Sequence, residues 1–190
     1  MAEVPSTRSL QLGVLVPGFL LPDAEGKKYA LADVRGSHGI VIAFLCNHCP
    51  FVIHLADQLG EFANECHTLG VGFAGINSND SLRYPADSPA LMKQMSAKSG
   101  WSFPYLVDED QSVAQAYSAA CTPDFYLFDA GLKLYYCGQF DSTRPGKNML
   151  VTGDDLRRAV SGMMQGDPPP GVQRPSSGCS IKWKPGREPA

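Results

Sequence analysis

One stretch of the sequence decides the fold, and it reads Gly39-Ile40-Val41-Ile42-Ala43-Phe44-Leu45-Cys46-Asn47-His48-Cys49-Pro50. Its first seven residues are apolar throughout, as expected of a central β-strand that is covered on both faces. Two cysteines in C-x-x-C spacing follow, and residues 50–69 then carry apolar side chains at helical spacing. The stretch therefore predicts a buried strand, a cysteine pair and an amphipathic helix in direct succession.

This order predicts that Cys46 lies at a helix N-terminus. Unpaired backbone N–H groups and the helix dipole favour an anion there, and the thiolate is the reactive form of cysteine. A cationic His48 would add to the stabilisation of a Cys46 thiolate. We therefore expect Cys46 and Cys49 to exchange between dithiol and disulfide, with His48 tuning the reaction.

The rest of the chain predicts an α/β protein. Hairpins are predicted over residues 19–31 and 124–138, strands over 71–77 and 105–107, and helices over 88–98, 111–117 and 153–164. Alternating strands and helices that end in an antiparallel pair indicate a sandwich with a mixed central sheet. We expect one domain over residues 13–165, followed by a proline-rich C-terminal tail over 166–190 with little secondary structure.

Composition and charge argue against several classes of function. The chain has 190 residues, a formal net charge of −3 and a hydrophobic fraction of 44%, which is typical of a soluble globular protein. This charge gives no reason to expect a nucleic acid or a membrane as partner. No apolar run approaches the ~20 residues that span a bilayer, and residues 1–8 lack the apolar core of a signal peptide. We therefore expect a cytoplasmic protein whose six cysteines are mostly free thiols.

Several segments resemble the redoxin branch of the thioredoxin fold, which includes the alkyl hydroperoxide reductase and thiol-specific antioxidant proteins. In chain order they are Phe19–Asp23 with Gly26-Lys27, Cys46–Pro50, Gly75–Asp80 and Cys121–Phe125. The tail segment Gly178–Lys184 is also similar to a subgroup of thioredoxin-like proteins. The resemblance implies a thioredoxin-like three-layer α/β/α sandwich with an N-terminal hairpin extension.

The resemblance also implies roles for single residues. Cys46 would attack a disulfide, and Cys49 would resolve the mixed disulfide that forms. Pro123 would be a cis-proline facing the pair, with Thr122 and Cys121 contributing to substrate binding. The partners would be protein or small-molecule disulfides and a thiol reductant, with no cofactor.

Two departures from the thioredoxin pattern accompany this resemblance. Leu45 stands where thioredoxins carry Trp, and residues 39–45 contain no carboxylate that could assist proton transfer. Cys121 also has a simpler interpretation as a buried core thiol. Cys179 is a candidate resolving thiol for a sulfenic acid on Cys46, and its simpler interpretation is an incidental exposed thiol in a mobile tail.

Two alternative functions stay open. A peroxiredoxin-like thiol peroxidase would oxidise the same Cys46, although Ala43 stands where the peroxiredoxin signature has Thr or Ser. A copper or zinc binding protein would use Cys46, His48 and Cys49, with His54 as a further ligand.

Overall fold

The computed structural model describes residues 3–6 and 10–189. Strands β4 (Gly39–Phe44), β5 (Val71–Asn77) and β6 (Tyr105–Val107) pair in parallel, each with the next. On its other edge β4 pairs antiparallel with β8 (Asp124–Asp129), which pairs antiparallel with β9 (Leu134–Gly138). The central sheet therefore has five strands in the order β6-β5-β4-β8-β9 and is mixed, as the sequence predicts.

Strand β4 shows why helices cover both faces of this sheet. Its six residues are all buried, and alternate side chains enter two different apolar clusters. Val41 and Ala43 face the helices α2 (Pro50–Thr68), α3 (Pro89–Lys98) and α5 (Asp154–Gln165). The other three apolar residues of the strand face α1 (Leu31–Val34) and α4 (Ser112–Ala116). The result is the expected three-layer α/β/α sandwich.

The N-terminal hairpin extension is also confirmed. Strands β2 (Leu20–Pro22) and β3 (Lys28–Ala30) pair antiparallel, with Leu20 opposite Ala30. Among residues 3–6 and 10–189, no helix is long and apolar enough to cross a membrane.

The C-terminal residues depart from the predicted tail. Residues 166–176 contain no helix or strand beyond the end of α5, but Ser177–Ser180 form strand β10. This strand lies antiparallel between β1 (Glu3–Pro5) and β7 (Cys121–Thr122). The expectation of little secondary structure is therefore wrong for residues 177–180. Their hydrogen-bond partners are far away in the sequence, so no local pattern indicates the strand.

Candidate active site

Cys46 and Cys49 lie in the connection between β4 and α2. The helix begins at Pro50, whose fixed φ and missing N–H suit the first helical position. Cys49 is the residue that caps this N-terminus, and Cys46 precedes the helix. The expectation that Cys46 lies at the helix N-terminus is therefore corrected, because Cys49 has that position.

Thr122 is the residue that both cysteines contact. The Sγ of Cys46 lies 3.2 Å from Thr122 Oγ1, and the Cys49 thiol donates a hydrogen bond of 3.1 Å to the Thr122 carbonyl oxygen. The Thr122–Pro123 bond is cis, as the resemblance implies. Phe44 of β4 pairs with Asp124 of β8, and this register brings the residues just before β8 beside those just after β4.

Asp87 is the site residue that sequence reasoning missed. It is buried and ends a short 3-10 turn over Pro85–Asp87. Its Oδ1 accepts a 2.8 Å hydrogen bond from the Asn47 backbone N–H, and its Oδ2 accepts one of 2.7 Å from Asn79 Nδ2. The carboxylate absent from β4 is thus supplied by the segment after β5. The sequence contained one indication of this position. Neighbouring parallel strands such as β4 and β5 end at the same edge of the sheet, so the segments that follow them lie close together.

His48 lies against this carboxylate. Its Nδ1 is 2.7 Å from Asp87 Oδ2, but this buried nitrogen makes no hydrogen bond of acceptable geometry within the described residues. The ring is parallel to that of Tyr84, with 6.2 Å between the ring centroids. About a fifth of the His48 side chain is exposed, since its relative accessibility is 20%. A protonated His48 would therefore offset the negative charge of Asp87 at the edge of the site.

Cys179 joins the pair from the C-terminal strand. It lies opposite Thr122 in the pairing of β10 with β7, and it belongs to the same buried apolar cluster as Cys46 and Cys49. The interpretation of Cys179 as an exposed thiol in a mobile tail is wrong, because only 3% of it is accessible. We refer to Cys46, Cys49 and Cys179 as the cysteine cluster.

Cys121 lies on the same short strand as Thr122 but outside this cluster. Its thiol is fully buried and donates to the carbonyl oxygen of Pro123 at 3.7 Å. Burial raises the pKa of Cys121 far above its ordinary value. These facts agree with the simpler interpretation as a core thiol, and its role in substrate binding stays a prediction.

The two thiols of the C-x-x-C pair have pKa values that are shifted in opposite directions. The pKa of Cys49 is lowered from 9.0 to about 5, chiefly by the hydrogen bond from Cys46 and also by those from Cys179. The pKa of Cys46 is raised well above 9.0 by the same contact with Cys49, by burial and by the Asp87 carboxylate. The expectation of a stabilised Cys46 thiolate is therefore reversed in this conformation. The Thr122 carbonyl oxygen opposes ionisation of Cys49, because it accepts the thiol proton.

A group of candidate metal ligands overlaps the site. The ligand atoms of Cys46, His48 and Asp87 all lie within 4.8 Å of one another. This group contains Asp87 in the place of the Cys49 that the sequence suggested. His54 has a different partner, since its Nε2 is 3.0 Å from Thr143 Oγ1.

The sulfur atoms are enclosed in this conformation. Cys46 is 1% accessible and Cys49 is 0% accessible. Because thiol–disulfide exchange requires direct contact between sulfur atoms, a segment that covers the cluster must move before an external disulfide can react.

Two curated proteins that are similar to this chain have different redox descriptions. A Mycobacterium tuberculosis protein described as a peroxiredoxin is 32% identical over 117 residues, which cover 60% of this chain and 67% of that protein. The thiol-disulfide oxidoreductase ResA of Geobacillus thermodenitrificans is 24% identical over 127 residues, covering 66% of this chain and 68% of ResA.

Solved structures confirm the fold. An uncharacterized conserved protein from Geobacillus kaustophilus is 48% identical and superposes with a TM-score of 0.93 over 97% of this chain and 98% of that chain. The thioredoxin domain of a Bacteroides vulgatus thiol-disulfide oxidoreductase has a TM-score of 0.63 at 18% identity, over 82% of this chain and 99% of that domain. The fold is therefore thioredoxin-like. Residues 12–137 match the model of the AhpC/TSA family, so the chain belongs to this family of redox proteins.

Proposed function

We propose that this chain is a thiol–disulfide oxidoreductase that works through a Cys46–Cys49 dithiol–disulfide pair. The main support is that both sulfur atoms contact one residue, Thr122, which precedes the cis-proline Pro123. Only Asn47 and His48 separate the two cysteines in the chain, and their shared contact with Thr122 holds both thiols in one small region. The similarity to ResA, a thiol-disulfide oxidoreductase, supports the same chemistry.

The reaction proceeds by two exchanges. The Cys46 thiolate attacks one sulfur of a protein or small-molecule disulfide, and the other sulfur leaves as a thiolate. Cys49 then attacks Cys46 Sγ in the mixed disulfide, which releases the second substrate thiol and leaves the Cys46–Cys49 disulfide. The substrate gains two electrons and two protons, and a thiol reductant restores the pair. We also propose the cytoplasm as its compartment, because thiol reductants are available there.

Neighbouring polar groups control which sulfur is the nucleophile. Cys46 becomes a thiolate when its proton passes to Cys49. The Thr122 hydroxyl, 3.2 Å from Cys46, favours this change because it lowers the pKa of Cys46. Asp87 opposes the change through its charge, and protonation of His48 would remove that opposition.

A redox titration tests this proposal. The protein is equilibrated in glutathione buffers, quenched with acid, alkylated and digested with trypsin. Mass spectrometry then measures the mass of the peptide over residues 36–83. We expect oxidation to remove two alkyl labels from this peptide, reversibly and with one midpoint, in the wild type and in Cys66→Ala but not in Cys49→Ala. The proposal fails if Cys46 and Cys49 both stay alkylatable in every buffer.

A peroxidase is the second candidate. Its support is the similarity to a peroxiredoxin and the Thr122 hydroxyl beside Cys46, which supplies the group that Ala43 lacks. In that case Cys46 would be oxidised by peroxide to a sulfenic acid. Peroxide consumption by Cys49→Ala in the presence of a thiol would favour the peroxidase, and its absence in the wild type would exclude it.

A metal-binding protein is the third candidate, supported by the proximity of Cys46, His48 and Asp87. Thiolate, imidazole and carboxylate groups together suit zinc. Elemental analysis of protein purified without chelator would show about one zinc per chain, and Asp87→Asn would lower this ratio. A metal-free wild type would exclude this candidate.

A further inference from the structure

The cysteine cluster contains one thiol that the proposed function does not use. We propose that Cys179 is a third redox-active thiol, which attacks Cys49 in the oxidised Cys46–Cys49 pair and forms a Cys49–Cys179 disulfide. This inference rests on the proposed function, because it starts from the oxidised pair. In this inference Cys179 attacks Cys49, whereas the sequence suggested that it attacks a sulfenic acid on Cys46.

The geometry of β10 carries the inference. Cys179 lies opposite Thr122 in the antiparallel pairing, and the Sγ of Cys49 is 3.1 Å from the Thr122 carbonyl oxygen. The strand also contacts helix α2, whose N-terminus Cys49 caps. Both thiols are buried, at 3% and 0% accessibility, and they belong to the same apolar cluster. Cys49 and Cys179 are therefore both held against Thr122, in one buried region.

Gly178 explains how β10 comes so close. A Cβ atom at this position would lie 2.0 Å from the Thr122 carbonyl oxygen, so no side chain fits there. The next segment is also held, since the Lys182 backbone N–H donates to Asn79 Oδ1 at 2.8 Å. Cys179 is therefore fixed beside Cys49 by contacts on both sides of it along the chain.

The proposed step is balanced and needs no external oxidant. The Cys179 thiolate forms a bond to Cys49 Sγ, and the bond between Cys49 and Cys46 breaks. The electron pair of that bond leaves with Cys46, which takes up the proton that Cys179 has lost. The disulfide has then moved from one pair to the other, and Cys46 is again a free thiol.

The electrostatics of Cys179 change in the direction that this step requires. In the reduced protein, burial and the hydrogen bond to Cys49 raise the pKa of Cys179 to about 12. The second of these causes disappears when Cys49 is in a disulfide, because it no longer carries a thiolate. The positive charge of Lys182 then continues to favour the Cys179 thiolate. Oxidation of the pair thus makes its own attacking thiol easier to ionise.

Trypsin separates the two disulfides cleanly. One peptide, residues 36–83, contains Cys46, Cys49 and Cys66, and another, residues 159–182, contains Cys179. A Cys46–Cys49 disulfide stays within the first peptide, whereas a Cys49–Cys179 disulfide joins the two. The test uses full-length Cys46→Ser in glutathione buffers with acid quench and peptide mass spectrometry. We expect the joined peptides to become the main oxidised species of this variant, and a smaller fraction of the wild type.

Two further variants serve as controls. Adding Gly178→Ala displaces β10 without removing a thiol, and we expect it to lower the yield of joined peptides roughly tenfold, as proximity effects allow. Adding Cys121→Ser removes a buried thiol of the neighbouring strand and should leave the yield unchanged. Thermal unfolding of each variant shows that it is folded.

Three results separate this inference from the proposed function. The inference is overturned if Cys179 stays free in Cys46→Ser across the buffers that oxidise the wild-type pair. It is also overturned if Cys49 bonds to Cys121 or Cys66 instead, while the proposed function stands in both cases. If the wild-type Cys46–Cys49 pair never oxidises, the proposed function and this inference fail together.

Discussion

The two ends of helix α2 each carry a fully buried cysteine, and the two thiols differ sharply. Cys49 caps the N-terminus, and its pKa is lowered to about 5 by hydrogen bonds from Cys46 and Cys179. Cys66 lies near the C-terminus, where burial raises its pKa to about 12. Burial is complete at both positions, with 0% accessibility. The difference teaches that burial alone makes a thiol inert, and that donors arranged around the sulfur make it ionisable.

Removing each thiol in turn gives the largest expected effect. Cys49→Ala should lower multiple-turnover reduction of a protein disulfide by roughly a thousandfold or more, because the resolving sulfur is lost. Cys66→Ala should leave turnover nearly unchanged. Both variants are assayed with dithiothreitol as the reductant, after circular dichroism has shown that they are folded. Equal losses of turnover in the two variants would contradict the contrast between Cys49 and Cys66.

Removing a donor sharpens the comparison. Cys46→Ala removes the group that lowers the pKa of Cys49 most, so the pKa of Cys49 should rise from about 5 toward its ordinary value of 9.0. The ultraviolet absorbance of the thiolate reports this change as a titration that moves to higher pH. Cys66→Ala is the matched control, whose titration at low pH should be that of the wild type.

The same thiolate links stability to pH. The folded-state pKa of Cys49 lies below its unfolded value, so ionisation stabilises the reduced fold at pH above 9. This contribution should decline as the pH falls from 9 toward 5. Urea unfolding of the wild type and Cys49→Ala at several pH values measures it, and parallel profiles would contradict the lowered pKa.

The contrast extends to two buried carboxylates. Burial raises the pKa of Asp124 to about 6, whereas at Asp141 four hydrogen bonds from Thr143, Thr152 and Gly153 outweigh burial and lower the pKa. Ionisation of Asp124 therefore destabilises the fold as the pH rises from its unfolded pKa of 3.8 to about 6, by about 3 kcal/mol.

Asparagine substitutions at these two carboxylates should have opposite dependences on pH. Asp124→Asn removes the destabilisation, so relative to the wild type it should be more stable at pH 7 than at pH 4. Asp141→Asn removes a stabilising charge and should lose more stability at pH 7 than at pH 3. Denaturant unfolding at the stated pH values measures both, and the same sign in the two variants would refute the contrast.

The smallest expected effect belongs to the hydroxyl of Thr122. Thr122→Val keeps the shape and the backbone carbonyl but removes the group 3.2 Å from Cys46 Sγ. Losing about 1 kcal/mol of hydrogen bonding should lower the rate of disulfide reduction roughly fivefold, because the pKa of Cys46 rises further. Thr68→Val, on the exposed end of α2, is the control. An unchanged rate in Thr122→Val would show that this hydroxyl does not assist Cys46.

Local patterns account for the parts of the fold that could be predicted from the sequence. The apolar run of β4 and the helical spacing of α2 depend on neighbouring residues, so the observed bounds lie within one residue of those expected. One expectation about these elements was wrong. Because Pro50 is the first residue of the helix, the N-cap residue is Cys49 and not Cys46.

The missed parts of the site depend on contacts between distant segments. Asp87 reaches the cysteines from a loop that looks merely polar in the sequence, and only the parallel pairing of β4 with β5 brings it there. Cys179 lies in a proline-rich region, and its position follows from pairing with β7. No local signal marks the pairing of β10 with β7, and the pairing of β4 with β5 indicates only the sheet edge near which Asp87 lies, so neither residue could be placed from the sequence.

The position of β10 has a consequence for biosynthesis. Cys46 and Cys49 leave the ribosome well before Ser177–Ser180, which are translated more than 100 residues later. Until that strand adds to β7, nothing occupies its place beside the two thiols, so a nascent or truncated chain would present them to oxidants and to other folding chains. Coverage of these two sulfurs by β10 is therefore acquired only after residues 177–180 have been translated.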